Sequence, residues 1–126
     1  MSFHLWGSEG TTEHGHNYYE LFLVTDGRVC HEINGKISEI SKGALCMICP
    51  GDIHQLRRIE NFSSIHMNIC LSPKKFEEIC SALGIDSKAF KAQKPLTAAL
   101  STEEQAYFSS RASLINKLIG DGYEKA

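Results

Sequence analysis

The sequence has no excess of positive charge. Thirteen lysines and arginines stand against 15 aspartates and glutamates, giving a formal net charge of −2 and an isoelectric point near 6.3. A DNA-binding face calls for a basic stripe, so specific DNA binding by this chain alone is not expected. Long apolar runs are missing too, which argues against a membrane span, and no basic stretch leads into a hydrophobic one at the N-terminus. Cysteines number five, an odd count in mostly apolar surroundings, which does not suit a disulfide framework. A cytoplasmic protein is the expectation. Repeats and low-complexity segments are absent, and 126 residues suffice for one domain with a real core.

What is present centres on His14-Gly-His16-Asn-Tyr-Tyr-Glu20-Leu-Phe-Leu-Val-Thr-Asp-Gly27. Side chains alternate along a strand, so His14, His16 and Glu20 share one face with Tyr18, Phe22 and Val24. Tyr19, Leu21 and Leu23 make the other face equally apolar, which places the polar trio inside something enclosed. Burying such groups is costly unless they are hydrogen-bonded or share a cation. The segment Gly43 to His54 is a natural source of a fourth ligand. A site of imidazoles and a carboxylate suits zinc, nickel, manganese or iron, and is too soft for calcium or magnesium. A metal-free polar network is the competing reading. Cys46-Met-Ile-Cys49 has the letters of a zinc or redox motif, yet strand residues three apart point to opposite faces, which makes it structural.

Elsewhere strands and turns alternate as in an antiparallel barrel or sandwich. Phe3 to Trp6 is a short first strand. Tyr18 to Thr25 is expected to turn at Asp26-Gly27 into Arg28 to Ile33, which turns at Asn34-Gly35 into Lys36 to Ile40. His31 then reads as a surface or hairpin histidine. In Ser64 to Leu71, Ile65, Met67, Ile69 and Leu71 alternate with His66, Asn68 and Cys70, a second set suited to a polar interior. Ser72-Pro73 opens a helix that Gly84 closes, and Ser101-Thr-Glu-Glu104 is a capping box for a second helix to about Ile119.

His14-x-His16, Glu20 and Gly27 have the spacing of the first cupin motif, and Gly43, Gly51 and His54 hold their places in the second. The sequence resembles a cupin. It departs from the pattern where Ser8 replaces the leading glycine, where Pro50 sits one position late, and where Arg58 stands for a common asparagine. Pro50-Gly-Asp52-Ile-His54, Tyr18 to Gly27, His31 to Gly35 and Leu100-Ser-x-x-Glu104 make it similar to the sensor domains of AraC-type transcription regulators.

The resemblance implies a mainly β fold: a single-domain cupin antiparallel barrel over residues 1–71, followed by a C-terminal helical pair over 72–126. It implies an effector-sensing and dimerisation domain for a small polar molecule, with sugars as one class. Trp6, Tyr18, Arg58, His66 and Asn68 are the candidate ligand-binding residues, beside the metal at His14, His16, Glu20 and His54. The stripe Phe108, Ala112, Ile115, Leu118 and Ile119 would pack on the barrel or pair two copies as a homodimer. DNA would be reached only through a helix-turn-helix half that nothing after Ile119 supplies, so the chain is expected to be a separated or truncated sensor. A metal-dependent cupin enzyme, an oxygenase or isomerase on a small polar substrate, is the alternative, and a non-catalytic carbohydrate-binding cupin shares every barrel feature.

Overall fold

A computed structural model describes the backbone of residues 2–6, 14–15, 17–91 and 96–119, and the side chains of 15, 17–90 and 96–114. The organising element is β3 (Tyr19–Ile33), 15 residues that run through two sub-sheets of one curled antiparallel sheet. Its first half lies between β7 (Ser64–Leu71) and β5 (Ala44–Ile48). Beyond these lie β1 (Ser2–Trp6) on the β7 side and β8 (Leu96–Ala99) on the β5 side. Its second half lies between β4 (Lys36–Ser41) and β6 (Ile53–Arg57), with β2 (His14–Gly15) beyond β6. The whole curls into a half-barrel of mainly β structure.

The expected hairpin at Asp26-Gly27 is not formed. The chain passes straight on from one sub-sheet to the other through a register shift between Val24 and Asp26, where Thr25 is the extra residue. Such a bulge bends a strand and lets it change sheets. Gly27 sits at the bend with φ +76°, and a Cβ there would lie 1.8 Å from the Ser63 carbonyl oxygen. Only glycine allows that approach. One extra residue also reverses the alternation: Glu20, Phe22 and Val24 face the concave side before the bulge, and Val29, His31 and Ile33 face it afterwards.

The concave core joins both sub-sheets through Phe22, Val24, Val29, Ile33, Ile48 and Leu56. The convex side of the first sub-sheet is covered by α1 (Pro73–Leu83), a 3₁₀ turn (Ser87–Lys91) and α2 (Thr102–Ile119). Tyr19 stacks on Phe76 of α1 at 3.7 Å between ring centroids, and Leu23 and Met67 pack against Ala112 of α2. Cys46 belongs to the concave core and Cys49 to the helix-covered cluster, and both are free thiols. The convex side of the second sub-sheet carries ion pairs such as Arg57–Glu32 at 3.0 Å.

The helix ends form as the capping residues dictate. Ser72 Oγ accepts from the Lys75 N–H, and Gly84 closes α1 at φ +71°. The Ser101 N–H donates to Glu104 Oε1 at 2.8 Å while Ser101 Oγ accepts from the Glu104 N–H at 3.1 Å. The segment after Ser72 is not wholly helical, because Leu96–Ala99 returns as β8 beside β5. Among the described residues no helix is long and apolar enough to cross a membrane.

Candidate functional site

Among the described residues, Glu20 and His31 from β3, His54 from β6, and His66 and Asn68 from β7 are polar side chains buried together on the concave side. Asn68 Nδ2 donates to Glu20 Oε2 at 3.0 Å, and Glu20 Oε1 lies 4.0 Å from His54 Nε2. The His54 ring stands edge-on to His31 at 5.7 Å between centroids. Phe22 meets His31 edge-on at 5.2 Å and His66 at 5.5 Å. The five groups therefore form one connected patch, bordered by the apolar core.

Burial, with a smaller contribution from the neighbouring His66, pushes the His31 pKa down to about 4. Burial also lowers the His66 pKa, and Glu20 opposes it by raising it. Both rings are mainly neutral at pH 7, each with one donor and one acceptor nitrogen. Both His31 nitrogens and Asn68 Oδ1 are buried with no hydrogen-bond partner among the described residues. Tyr18, half-buried at the start of β3, has its hydroxyl pKa raised by burial and then by Cys70 and Glu20.

The sequence-derived residues divide accordingly. Glu20, His54, His66 and Asn68 are brought together in the patch, and the electrostatic influence of Glu20 places Tyr18 beside it. His66 and Asn68 face inward, as the alternation of β7 suggested. Arg58 is not gathered in: it is exposed, and its Nε donates to the Phe62 carbonyl oxygen at 3.1 Å in the β6–β7 connection. His16 and the side chains of Trp6 and His14 lie outside the described residues, although the backbone pairs Trp6 with His66 and His14 with His54. His31, read as a surface or hairpin histidine, is instead 1% exposed. Its signal was the Val29, His31, Ile33 alternation, masked by the assumption of a turn at Asp26-Gly27.

The metal reading meets a partial fit. Two donors held about 2 Å from one ion lie at most roughly 4 Å apart, so the 4.0 Å between Glu20 Oε1 and His54 Nε2 lets both reach a common partner. The β2–β6 register adds His14 to His54 as its cross-strand neighbour. Asn68 occupies the second carboxylate oxygen. Among the described residues no three His, Cys, Asp or Glu side chains make a metal-holding group, and the set would depend on His14 and His16.

Asp52 holds the frame on which His54 is mounted. Its carboxylate accepts from the Cys49 N–H at 2.8 Å and from Asn34 Nδ2 at 3.0 Å, and Asn34 Oδ1 in turn accepts from the Ile53 N–H at 2.9 Å. The Pro50-Gly51 turn and the Asn34-Gly35 hairpin are thus tied together one residue before β6 begins. On the other side of the sheet, Ala112 is 1% exposed against Leu23, so this part of the α2 stripe packs within the chain along with Phe108. The side chains of Ile115, Leu118 and Ile119 lie outside the described residues.

Comparison with known proteins adds three findings. A family model described as the AraC-like ligand binding domain matches residues 4–112. The HTH-type transcriptional activator RhaS of Escherichia fergusonii is 33% identical over 64 residues, which are 51% of this chain and 23% of RhaS. The chain thus aligns with under a quarter of that curated relative. Among solved structures, apo ToxT from Vibrio cholerae superposes with a TM-score of 0.64 at 10% identity, covering 99% of this chain and 51% of that one. A cupin protein from Bacteroides fragilis gives 0.54 at 17% identity, covering 56% of this chain and 64% of that one. At these identities the structural likenesses show the fold alone, a cupin one.

Proposed function

The chain belongs to the family of AraC-like ligand-binding domains, and from that premise we propose that it binds a small polar molecule, sugars being one class, on the concave side of its half-barrel. The bound state would be reported to a DNA-binding region of the same regulator. The observation that carries this reading is the buried patch of Glu20, His54, His66 and Asn68, a polar surface that an inert core would not retain. A divalent transition metal at His14, His16, Glu20 and His54 belongs to the same proposal. It would supply a fixed positive charge to orient hydroxyl or carboxylate oxygens, while Asn68 steadies the Glu20 carboxylate.

Coupling has a physical route. Glu20 and Phe22 face the patch, while Leu23 on the same strand packs against Ala112 of α2. A ligand that prefers one position of β3 thereby prefers one position of α2. Pairing of two copies through α2 belongs to the same proposal, with Ile115, Leu118 and Ile119 as its candidates; Phe108 and Ala112 already pack on the sheet. A cytoplasmic location goes with this reading. A metal-dependent cupin enzyme would use the same four donors, but the family match favours a sensor.

The test is a titration of the chain with a panel of aldopentoses and aldohexoses, read by the fluorescence of Trp6, the single tryptophan, and by melting temperature. At least one sugar should give a saturable change that Asn68→Ala abolishes. A panel without effect on the wild type refutes the sugar reading. Elemental analysis, with and without zinc or manganese loading, should find metal that His54→Ala loses; protein that takes up neither ion refutes the metal.

A further inference from the structure

His31 has no role in the function proposed above, yet it is the most deeply buried polar side chain in the concave patch, at 1% exposure. Its two ring nitrogens have no hydrogen-bond partner among the described residues. Its neighbours explain why: Phe22 presents a ring edge at 5.2 Å, and Val29 and Ile33 flank it along β3. A leucine or phenylalanine would fill this position with no polar atom left over. The ring also adjoins His54, which adjoins Glu20, so it is continuous with the groups already assigned.

We propose that His31 is a specificity-determining contact of the effector site, hydrogen-bonding through a ring nitrogen to an uncharged hydroxyl or amide of the bound molecule, and that the unliganded chain is less stable for keeping it. This rests on the effector-binding reading above. The titratable groups facing the ring are His54 and His66, with Glu20 behind His54. An imidazole walled by Phe22, Val29 and Ile33 presents, in its neutral form, one donor and one acceptor. A hydroxyl, which both donates and accepts, matches it whichever tautomer is present. An anion would match only the donor nitrogen, so the bound molecule is expected to place a neutral polar group at this end.

Two variants of the full chain test it, His31→Leu and His31→Gln. Without sugar, His31→Leu should melt a few degrees higher than wild type, because two polar atoms with no partner among the described residues are replaced by apolar surface. Titrated with the sugar that the panel identifies, His31→Leu should bind roughly tenfold or more weakly, the loss of one hydrogen bond to a buried group. His31→Gln, which keeps a donor and an acceptor, should recover part of that affinity. A His31→Leu variant that melts lower, or fails to fold, overturns the proposal, since the ring would then be satisfied within the protein. Equal sugar affinity of wild type and His31→Leu also overturns it and leaves the sensor reading standing. A panel that does not bind wild type overturns this proposal together with the sugar reading.

Discussion

Replacing Asp52 with alanine should destabilise the chain by about 2–4 kcal/mol by loosening the turn that leads into His54. The magnitude is worked from two of the donors that the carboxylate holds, the Cys49 N–H and Asn34 Nδ2. The Cys49 N–H is buried and meets the carboxylate at 2.8 Å, so its loss counts as a charge-assisted bond to a group that water cannot reach, about 1.5–3 kcal/mol. Asn34 is exposed and can turn its amide to solvent, so its 3.0 Å bond adds only about 0.5–1 kcal/mol. Against a total stability of about 5–15 kcal/mol for a domain, that loss moves the melting temperature by roughly 10 °C. Urea denaturation of wild type, Asp52→Ala, Asn34→Ala and the double variant gives both the loss and the coupling. The single changes should not add, because Asn34 reaches Ile53 in an orientation that Asp52 holds. A loss under about 0.5 kcal/mol for Asp52→Ala, or full additivity, refutes the claim that this carboxylate ties the two turns together.

Acid should act through His31. Its pKa is lowered to about 4 in the folded chain from an ordinary 6.5, so the unfolded state binds the extra proton; stability is complete above pH 6.5 and falls as pH drops toward 4, by up to roughly 3 kcal/mol. Denaturation across that range should show a shallower decline in His31→Leu, and identical slopes would refute the assignment. Gly27→Ala should cost about 3 kcal/mol or more, since φ is +76° and the new Cβ would meet the Ser63 carbonyl at 1.8 Å. Hydrogen exchange should then show the loss concentrated in the β3–β7 ladder, and a melting temperature close to wild type would refute the close-approach argument.

Much of this architecture was readable from local chemistry. Asn34-Gly35 makes its two-residue hairpin with both φ angles positive, and Ser72, Gly84 and Ser101 cap as their side chains require. Glu20, His54, His66 and Asn68 face inward because the period-2 pattern holds on β7, β6 and the first half of β3. It fails at Thr25 because Asp-Gly tolerates a positive φ equally in a turn and beside a bulge, and only the distant carbonyl of Ser63 decides between them. His31 was misplaced for that reason alone. Leu96–Ala99 escaped notice because Leu-Thr-Ala-Ala has little intrinsic strand preference; its pairing with Ala44–Met47 supplies what local sequence does not. Arg58 was assigned by motif position, and its exposure follows from where β6 ends, at Arg57.

The long third strand has a consequence in time. Its hairpin with β4 can form as soon as residue 41 has been made, but its other flank waits for β7, whose Ile65 carbonyl receives the Thr25 hydroxyl across 40 residues. Among the described residues β1 pairs only with β7, so it stays without a strand neighbour until β7 has been made. At about 5–20 residues per second on the ribosome, Trp6 precedes Leu71 by roughly 3–13 s. Once Leu23 has been made, and until β7 follows, β3 presents an open ladder of Leu21, Phe22 and Leu23 with no neighbour on the β7 side. The nascent chain is then most open to chaperone capture or mispairing, and a ribosome pause placed before Ser64 would prolong that window.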